Sequence, residues 1–395
     1  MLKPSGTLVK RFVSSRVLEL DYEIGNLAAL GLRAGRNLIS LDVADPYLDT
    51  PGYIKAEMHR ALGRKDSGHY TRIRGLPEFV KSVSEFYSTN YRVKIDPMDQ
   101  VLSTVGSGEA LYIVFASIVG MEDEFVIPNP TFPTYGSLIK LLGGVARYVP
   151  TTSDYHLDVD VIKKAINRRT KAIVLCTPNN PTGAIYSRAE LAAVLRIAQE
   201  KDLLIISDEN YSQVTYGDRK HFSIAALPRA MERTIVINGL SKVYAMAGWR
   251  LGYMIAGREY IEQFEKVAYL IRGSVNTAIQ FAGARALHTP PSAIARIVSA
   301  YDKNRHLVLD FLRRAGFECH VPEGGFEVFP RIPPQFKGSE SFASYLVKEA
   351  SVLVKPGVYF GPDGDSNFRV VYCKEHSTLT EAMRRILTTF RRKEE

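Results

Sequence analysis

The sequence predicts an α/β protein of two domains. The larger is a mainly parallel seven-stranded sheet flanked by helices, and the smaller is α+β. Three observations carry this reading. The chain has 395 residues, beyond the ~250–300 at which a single core usually stops growing. Its middle alternates short apolar, β-branched runs with helical patterns, as βαβ units do. From about Pro290 that alternation gives way to one long helical pattern and several short strands.

In chain order, the strand candidates of the larger domain are Val101–Val105, Phe125–Ile127, Ala146–Val149, Ala172–Cys176, Leu203–Ser207, Thr234–Ile237 and Leu251–Ile255. Helical spacing lies between them at Glu109–Val119, Tyr135–Leu142, Val159–Ile166, Arg188–Lys201 and Ile261–Leu270. Short connections and right-handed crossovers follow for such a sheet, and ligands are expected beyond the carboxyl ends of its strands. Further on, Ser292–Ala315 and Ser341–Glu349 read as helices, and Glu318–Val321, Glu327–Pro330 and Phe368–Tyr372 as strands. Leu38–Leu41 reads as a strand that enters the sheet region late, which assigns the first residues to the small domain. The expected division is 46–289 for the large domain, with 1–45 and 290–395 forming the small one.

Composition is that of a soluble globular protein, with 46% apolar and 24% charged residues. No apolar run approaches the ~20 residues that span a bilayer, and Met1–Ser5 lacks the apolar core of a signal peptide. Three cysteines, Cys176, Cys319 and Cys373, lie far apart and in no metal-finger spacing. Disulfides and structural zinc are not expected, and a cytoplasmic location fits. The net charge of +9 is spread along the chain. Only the tail is dense in basic residues, and Met383, Ile386, Leu387 and Phe390 make it an amphipathic last helix. No nucleic-acid or membrane partner is expected.

The chemistry centres on Lys242. The run Thr234–Ile237 reads as a buried strand, which leaves the sheet through Asn238-Gly239-Leu240-Ser241-Lys242 and reaches Arg250 eight residues later. A lysine amine at a sheet edge, lowered in pKa, is a nucleophile toward aldehydes. An arginine holds a phosphate with a forked, permanent charge. An aldehyde and a phosphate on one molecule suggest pyridoxal phosphate (PLP). Thr104–Leu111, with Ser107 and Gly108, follows a strand and opens a helix, so its free N–H groups make an anion site. Phe132, in a loop after Phe125–Ile127, can stack on a planar ring. Asn180, in Cys176–Gly183, offers an amide donor for a phenolate oxygen. Asp208 ends a strongly apolar strand, where a carboxylate needs a positive partner such as a protonated pyridine nitrogen. Tyr211, three residues on, is within reach of the ring hydroxyl. The eight histidines are scattered, and no metal site is expected.

With these segments in order, the chain resembles the class I/II aminotransferases of the PLP-dependent fold-type I superfamily. The motifs are Asn180-Pro181-Thr182-Gly183, Asp208 with Tyr211, Ser241-Lys242, and Gly248-Trp249-Arg250-Leu251-Gly252-Tyr253. The resemblance implies that Lys242 is the Schiff-base lysine and Asp208 the partner of the pyridine nitrogen. By the same likeness, Tyr211 and Asn180 hold the ring hydroxyl, and Phe132 stacks on the ring. Ser107, Gly108, Ser241 and Arg250 bind the phosphate. Arg369 forks onto the substrate α-carboxylate, beside Asn180 and Ala44. Tyr70 matches the tyrosine that reaches the phosphate of the neighbouring subunit's cofactor, so a homodimer with shared active sites is implied. Three departures stand out: Gly239 where the family often has a serine, Ala44 for a frequent glycine, and Glu327 where many members have an aromatic or small apolar residue.

The activity implied is ping-pong transamination between an L-amino acid and a 2-oxo acid. Aspartate with 2-oxoglutarate is the first pair, or a broad specificity, with Arg72, Arg74 and Arg272 as candidates for a distal carboxylate. The same scaffold hosts C–S β-lyases, decarboxylases and cyclopropane-carboxylate synthases. A regulator built on this fold would need an added DNA-binding domain. A nicotinamide enzyme is disfavoured because Leu111 stands where its fingerprint needs a small residue.

Overall fold

A computed structural model describes residues 6–20 and 37–391. Parts of the expected small domain, residues 1–5 and 21–36, and the basic tail from 392 on lie outside the described residues.

The seven expected strands all form. They are β2 (Val101–Thr104), β3 (Glu124–Asn129), β4 (Val145–Pro150), β5 (Thr170–Cys176), β6 (Leu204–Asp208), β7 (Thr234–Gly239) and β8 (Gly252–Ile255). Their order across one sheet is β2-β8-β7-β6-β5-β3-β4. Strands β4, β3, β5, β6 and β7 are parallel, whereas β8 runs antiparallel to both β7 and β2. That one reversal matters for the site. The strand before a ligand edge normally ends there, but β8 begins there, so Arg250 just ahead of it arrives at the same edge as the loops leaving the other strands.

Local chemistry sets the helices. Arg188–Glu200 opens on a capping box, in which the Ser187 side chain accepts from the Glu190 N–H and Glu190 accepts from the Ser187 N–H. Asp158 caps Val159–Ala165 in the simpler way, accepting from Val161 N–H. Proline opens the first turn of Pro77–Tyr91 and of Pro291–Arg314, where its missing N–H costs nothing. The last helix, His376–Arg391, buries Met383, Ile386 and Leu387 as its spacing predicts. Three helices that the apolar spacing did not single out, Gly52–Leu62, Pro77–Tyr91 and Thr277–Leu287, pack on one another against the sheet's β2 side.

Beyond Pro290 the sheet pieces are short. Strand β1 (Ile39–Ser40) pairs parallel with β10 (Val352–Leu353). Strands β9 (Glu327–Val328), β12 (Phe368–Val371) and β11 (Lys355–Pro356) form an antiparallel trio with β12 in the centre. One expectation is corrected here: Glu318–Val321 is irregular, not a strand. Its one ladder-like contact is the N–H of Arg331 to the Glu318 carbonyl, 2.9 Å, because Arg331 bridges on its other side to Asn367. Leu38–Leu41 pairs with the β10 segment rather than with the seven-stranded sheet.

Candidate active site

The register of the parallel strands brings the site together. Cys176 pairs with Asp208, and Asp208 with Ile237, so β5 and β6 end level and β7 runs on to Gly239 beside them. Asn180, Tyr211 and Lys242 follow within a few residues, and Phe132 follows β3 on the same edge. The helix Gly106–Ile118 starts there as well, because β2 runs in the direction of β7. This is the carboxyl edge where open α/β sheets bind ligands.

Lys242 is the reactive group best placed by this edge. Its Nζ donates to the carbonyl of Ala44 at 2.8 Å and lies 5.5 Å from the Tyr211 ring centre. Burial lowers its pKa. Glu327, Cys373 and Asp45 favour the charged form, and Arg369 opposes it. An amine that is easier to deprotonate than a surface lysine is a better nucleophile near neutral pH.

Asp208 is buried at the end of β6. Tyr135 O–H donates to its Oδ2 at 2.7 Å, and the Asn210 amide and backbone N–H donate to Oδ1 at 2.6 and 3.2 Å. Burial pushes the Asp208 carboxyl up, while these donors and the charge of Lys242 pull it down. A carboxylate so placed needs a cation, and a protonated ring nitrogen is such a partner. Tyr135 was not singled out from the sequence as a site residue. It sits inside a helical pattern, and only the packing of Thr134–Leu141 turns it toward β6.

Arg369 comes from β12, far from the sheet in sequence. Its Nη1 donates to Asn180 Oδ1 at 3.1 Å, its Nη2 donates to the Asp42 carbonyl, and its Nε has no partner. A guanidinium only donates, so Asn180 must present its oxygen to Arg369. Its amide nitrogen is thereby left as the donor to a ligand. Tyr211 O–H donates to Glu327 Oε1 at 2.6 Å.

The phosphate side is built from close backbone. Gly106 has a left-handed φ of +75° and begins its helix without a side-chain cap. A Cβ on Gly106 would come within 2.9 Å of the Arg250 guanidinium, and one on Gly252 within 2.9 Å of Ser107 N. Two bare backbones and an arginine thus converge on the first turn, at Ser107. Ser241 is buried nearby. Gly239, a departure from the usual serine, packs where a Cβ would crowd the Asn210 side chain at 2.9 Å.

The family profile "Aminotransferase class I and II" matches residues 36–386. The chain belongs to this family. Similar relatives are the aspartate aminotransferase of Pyrococcus abyssi, 36% identical over 91% of this chain and 93% of the relative, and the aromatic-amino-acid aminotransferase 2 of Thermococcus litoralis, 35% identical over 88% and 90%. Among solved structures, a Thermus thermophilus aspartate aminotransferase double mutant superposes with a TM-score of 0.89 at 31% identity, covering 95% of this chain and 99% of that one. The protein is therefore an aminotransferase with the fold-type I architecture.

The other candidate residues of this aminotransferase divide. Phe132 is half-buried and packs edge-on against Tyr135 at 5.6 Å, at the site's edge. Tyr70 is 94% exposed and touches none of the residues above. Arg74 is tied to Glu265 at 2.7 Å and Asp99 at 3.2 Å, and Arg272 to Glu109 at 2.8 Å and to the Ser103 carbonyl. Arg72 has no carboxylate partner among the described residues, lying only near the Met98 sulfur. The described residues hold no cluster of three or more His, Cys, Asp or Glu that would bind a metal, and no helix long and apolar enough to cross a membrane.

Proposed function

We propose that this aminotransferase uses PLP, bound at the sheet edge, to exchange an amino group between an L-amino acid and a 2-oxo acid. The observation that carries the reading is the convergence of a half-buried, pKa-lowered Lys242 with Asp208, Asn180 and Arg369 on one edge. The residues fit the cofactor. The first turn at Gly106, with Arg250 and Ser241, suits a phosphate; Asp208 suits a pyridine nitrogen; and the Asn180 amide suits a ring oxygen. When bound, PLP supplies an aldehyde and an electron-withdrawing ring. Lys242 Nζ then serves as the base that takes the substrate α-proton and the acid that returns it. Arg369 holds the α-carboxylate, and its unpartnered Nε leaves it a donor to spare. Asp208 would favour the protonated ring nitrogen, and Phe132 would stack on the ring.

The substrate pair proposed for first assay is L-aspartate with 2-oxoglutarate. Arg72 is the distal cation to examine, because Arg74 and Arg272 already hold carboxylates. We also propose a homodimer, in which the exposed Tyr70 completes the site of the partner copy, and a cytoplasmic location. The domain division we propose is 46–289 against 1–45 with 290–395, the β1–β10 pair joining the two ends of the chain.

The test is the visible spectrum of purified protein. A yellow protein that bleaches on addition of L-aspartate and recovers with 2-oxoglutarate supports both half-reactions. A protein that stays colourless with added PLP would overturn the reading from Lys242 outward.

A further inference from the structure

Glu327 is a buried acid beside Tyr211 and Lys242 that the proposed chemistry leaves idle. Its carboxylate is fully buried, at 0% exposure, in β9. Each oxygen has one donor: Tyr211 O–H to Oε1 at 2.6 Å, and Phe326 N–H to Oε2 at 2.7 Å. Glu327 pairs with Val371 across the small sheet, so it shares a face with Arg369 two residues earlier.

The groups around it come from every packed element. Tyr211 and Tyr216 approach from the loop after β6, and Lys242 from the loop after β7. Arg369, Tyr372 and Cys373 approach from β12 and its end, and Cys176 from the end of β5. Asp45 and Tyr301 lie one step further out, facing Lys242 and Cys373. Burial pushes the tyrosines and cysteines up, so they are neutral at ordinary pH. Lys242 and Arg369 are the cations that offset this buried carboxylate.

The hydrogen-bond count is the argument. A tyrosine has a single O–H. Here Tyr211 gives it to Glu327, yet the family resemblance implies that the same hydroxyl holds the ring oxygen. While Glu327 Oε1 accepts that hydrogen, it is not available to the ring. We infer that Glu327 is a positioning residue that acts through Tyr211, its buried carboxylate accepting the Tyr211 hydroxyl and so deciding whether that hydroxyl is free to face the cofactor ring. This rests on the proposed use of PLP.

The experiment is a pH titration of the visible band of PLP-loaded protein in wild type, Glu327→Gln, Tyr211→Phe and the double variant. Glutamine keeps the shape of Glu327 but holds its hydrogens at all pH values, so its amide donates to Tyr211 and frees the hydroxyl for the ring. It also removes the negative charge that favours a charged Lys242 nitrogen. Both effects lower the midpoint of the colour change. The expected fall is about one pH unit or more, tenfold in proton concentration, in the wild-type background, and less than half as much with Phe at 211. Equal shifts in the two backgrounds would show a bare charge effect and overturn the inference, as would an unmoved midpoint. If Glu327→Gln does not fold, Glu327→Asp, one methylene too short to keep the 2.6 Å contact, must also move the midpoint, and an unchanged value overturns the inference. A wild type that never takes up PLP sinks the proposed function and this with it. A coloured wild type with an insensitive midpoint removes Glu327 alone.

Discussion

Tyr135 donates its hydroxyl to Asp208 Oδ2 at 2.7 Å, joining a helix after β3 to the end of β6. Tyr135→Phe removes one of three donors that lower this carboxyl against the upward push of burial. A hydrogen bond to a charged group contributes about 1.5–3 kcal/mol. The carboxyl should rise further and hold a ring nitrogen less firmly. Turnover and PLP affinity are expected to fall roughly tenfold or more, read by steady-state rates and by equilibrium titration of the apoprotein with PLP. Wild-type values in both would remove Tyr135 from the site.

Arg369→Lys tests the fork. Lysine is a point charge and cannot serve Asn180, the Asp42 carbonyl and a substrate carboxylate together. Truncating a buried, hydrogen-bonded charge costs about 2–5 kcal/mol, so kcat/KM should fall at least about thirtyfold. Asn180→Ala should act in the same direction and less than additively, because the two residues share a bond. Strict additivity in the double variant would argue that they act separately.

Arg272→Ala should lower stability without changing substrate preference. The Arg272 side chain is 8% exposed and that of Glu109 15%, and breaking such a buried pair costs about 3–5 kcal/mol. Urea unfolding reads the loss. The ratio of aspartate to alanine turnover should stay at the wild-type value in Arg272→Ala and Arg74→Ala, and drop in Arg72→Ala. A collapse of that ratio in Arg272→Ala would restore it as a distal cation.

Stability should depend on pH through His156. Its ring faces Glu190 at 3.2 Å and Glu323 at 3.6 Å. The Glu190 contact raises the His156 pKa against the opposing effect of burial. A raised histidine contributes its full stability below the unfolded value of ~6.5 and loses it as pH rises through the folded value. Glu190 is the opposite case. Burial pushes it up, but bonds from His156 and from Ser187 and Leu157 N–H bring it down to about 2. Its contribution is present above its unfolded value and is lost as pH falls toward about 2. His156→Gln is therefore expected to be less stable than wild type at pH 6, by under ~1 kcal/mol for a pair this exposed, and to differ least at pH 9. Equal destabilisation at the two pH values would contradict the ion pair.

Shared active sites predict complementation. Lys242→Ala should fold normally and lack turnover, and Tyr70→Ala should be impaired. After subunit exchange, mixed dimers carry one site with both lesions and one with neither, so activity should reappear above that of either parent. A mixture no more active than its Tyr70→Ala component would count against a shared site.

The sequence by itself determined the seven strands of the large sheet, most of the helices and the residues of the sheet edge. A buried strand is legible because its apolar run is continuous, and Asp208 and Lys242 are legible because each departs from such a run with a charge that needs a partner. Tyr135 was not legible, since a tyrosine in a helical pattern says nothing of which strand end it meets. The fates of Arg74 and Arg272 were hidden for the same reason. Their carboxylates, Glu265 and Glu109, lie 191 and 163 positions away, and sequence does not display such pairings. The sequence suggests a strand at Glu318–Val321, but a strand exists only where a neighbour completes a ladder of hydrogen bonds, and the single bond from Arg331 N–H does not. The reversal of β8 and the Tyr211–Glu327 bond are likewise properties of the assembled sheets. Periodicity and charge record what each segment must bury, and the fold alone decides which segments bury it together.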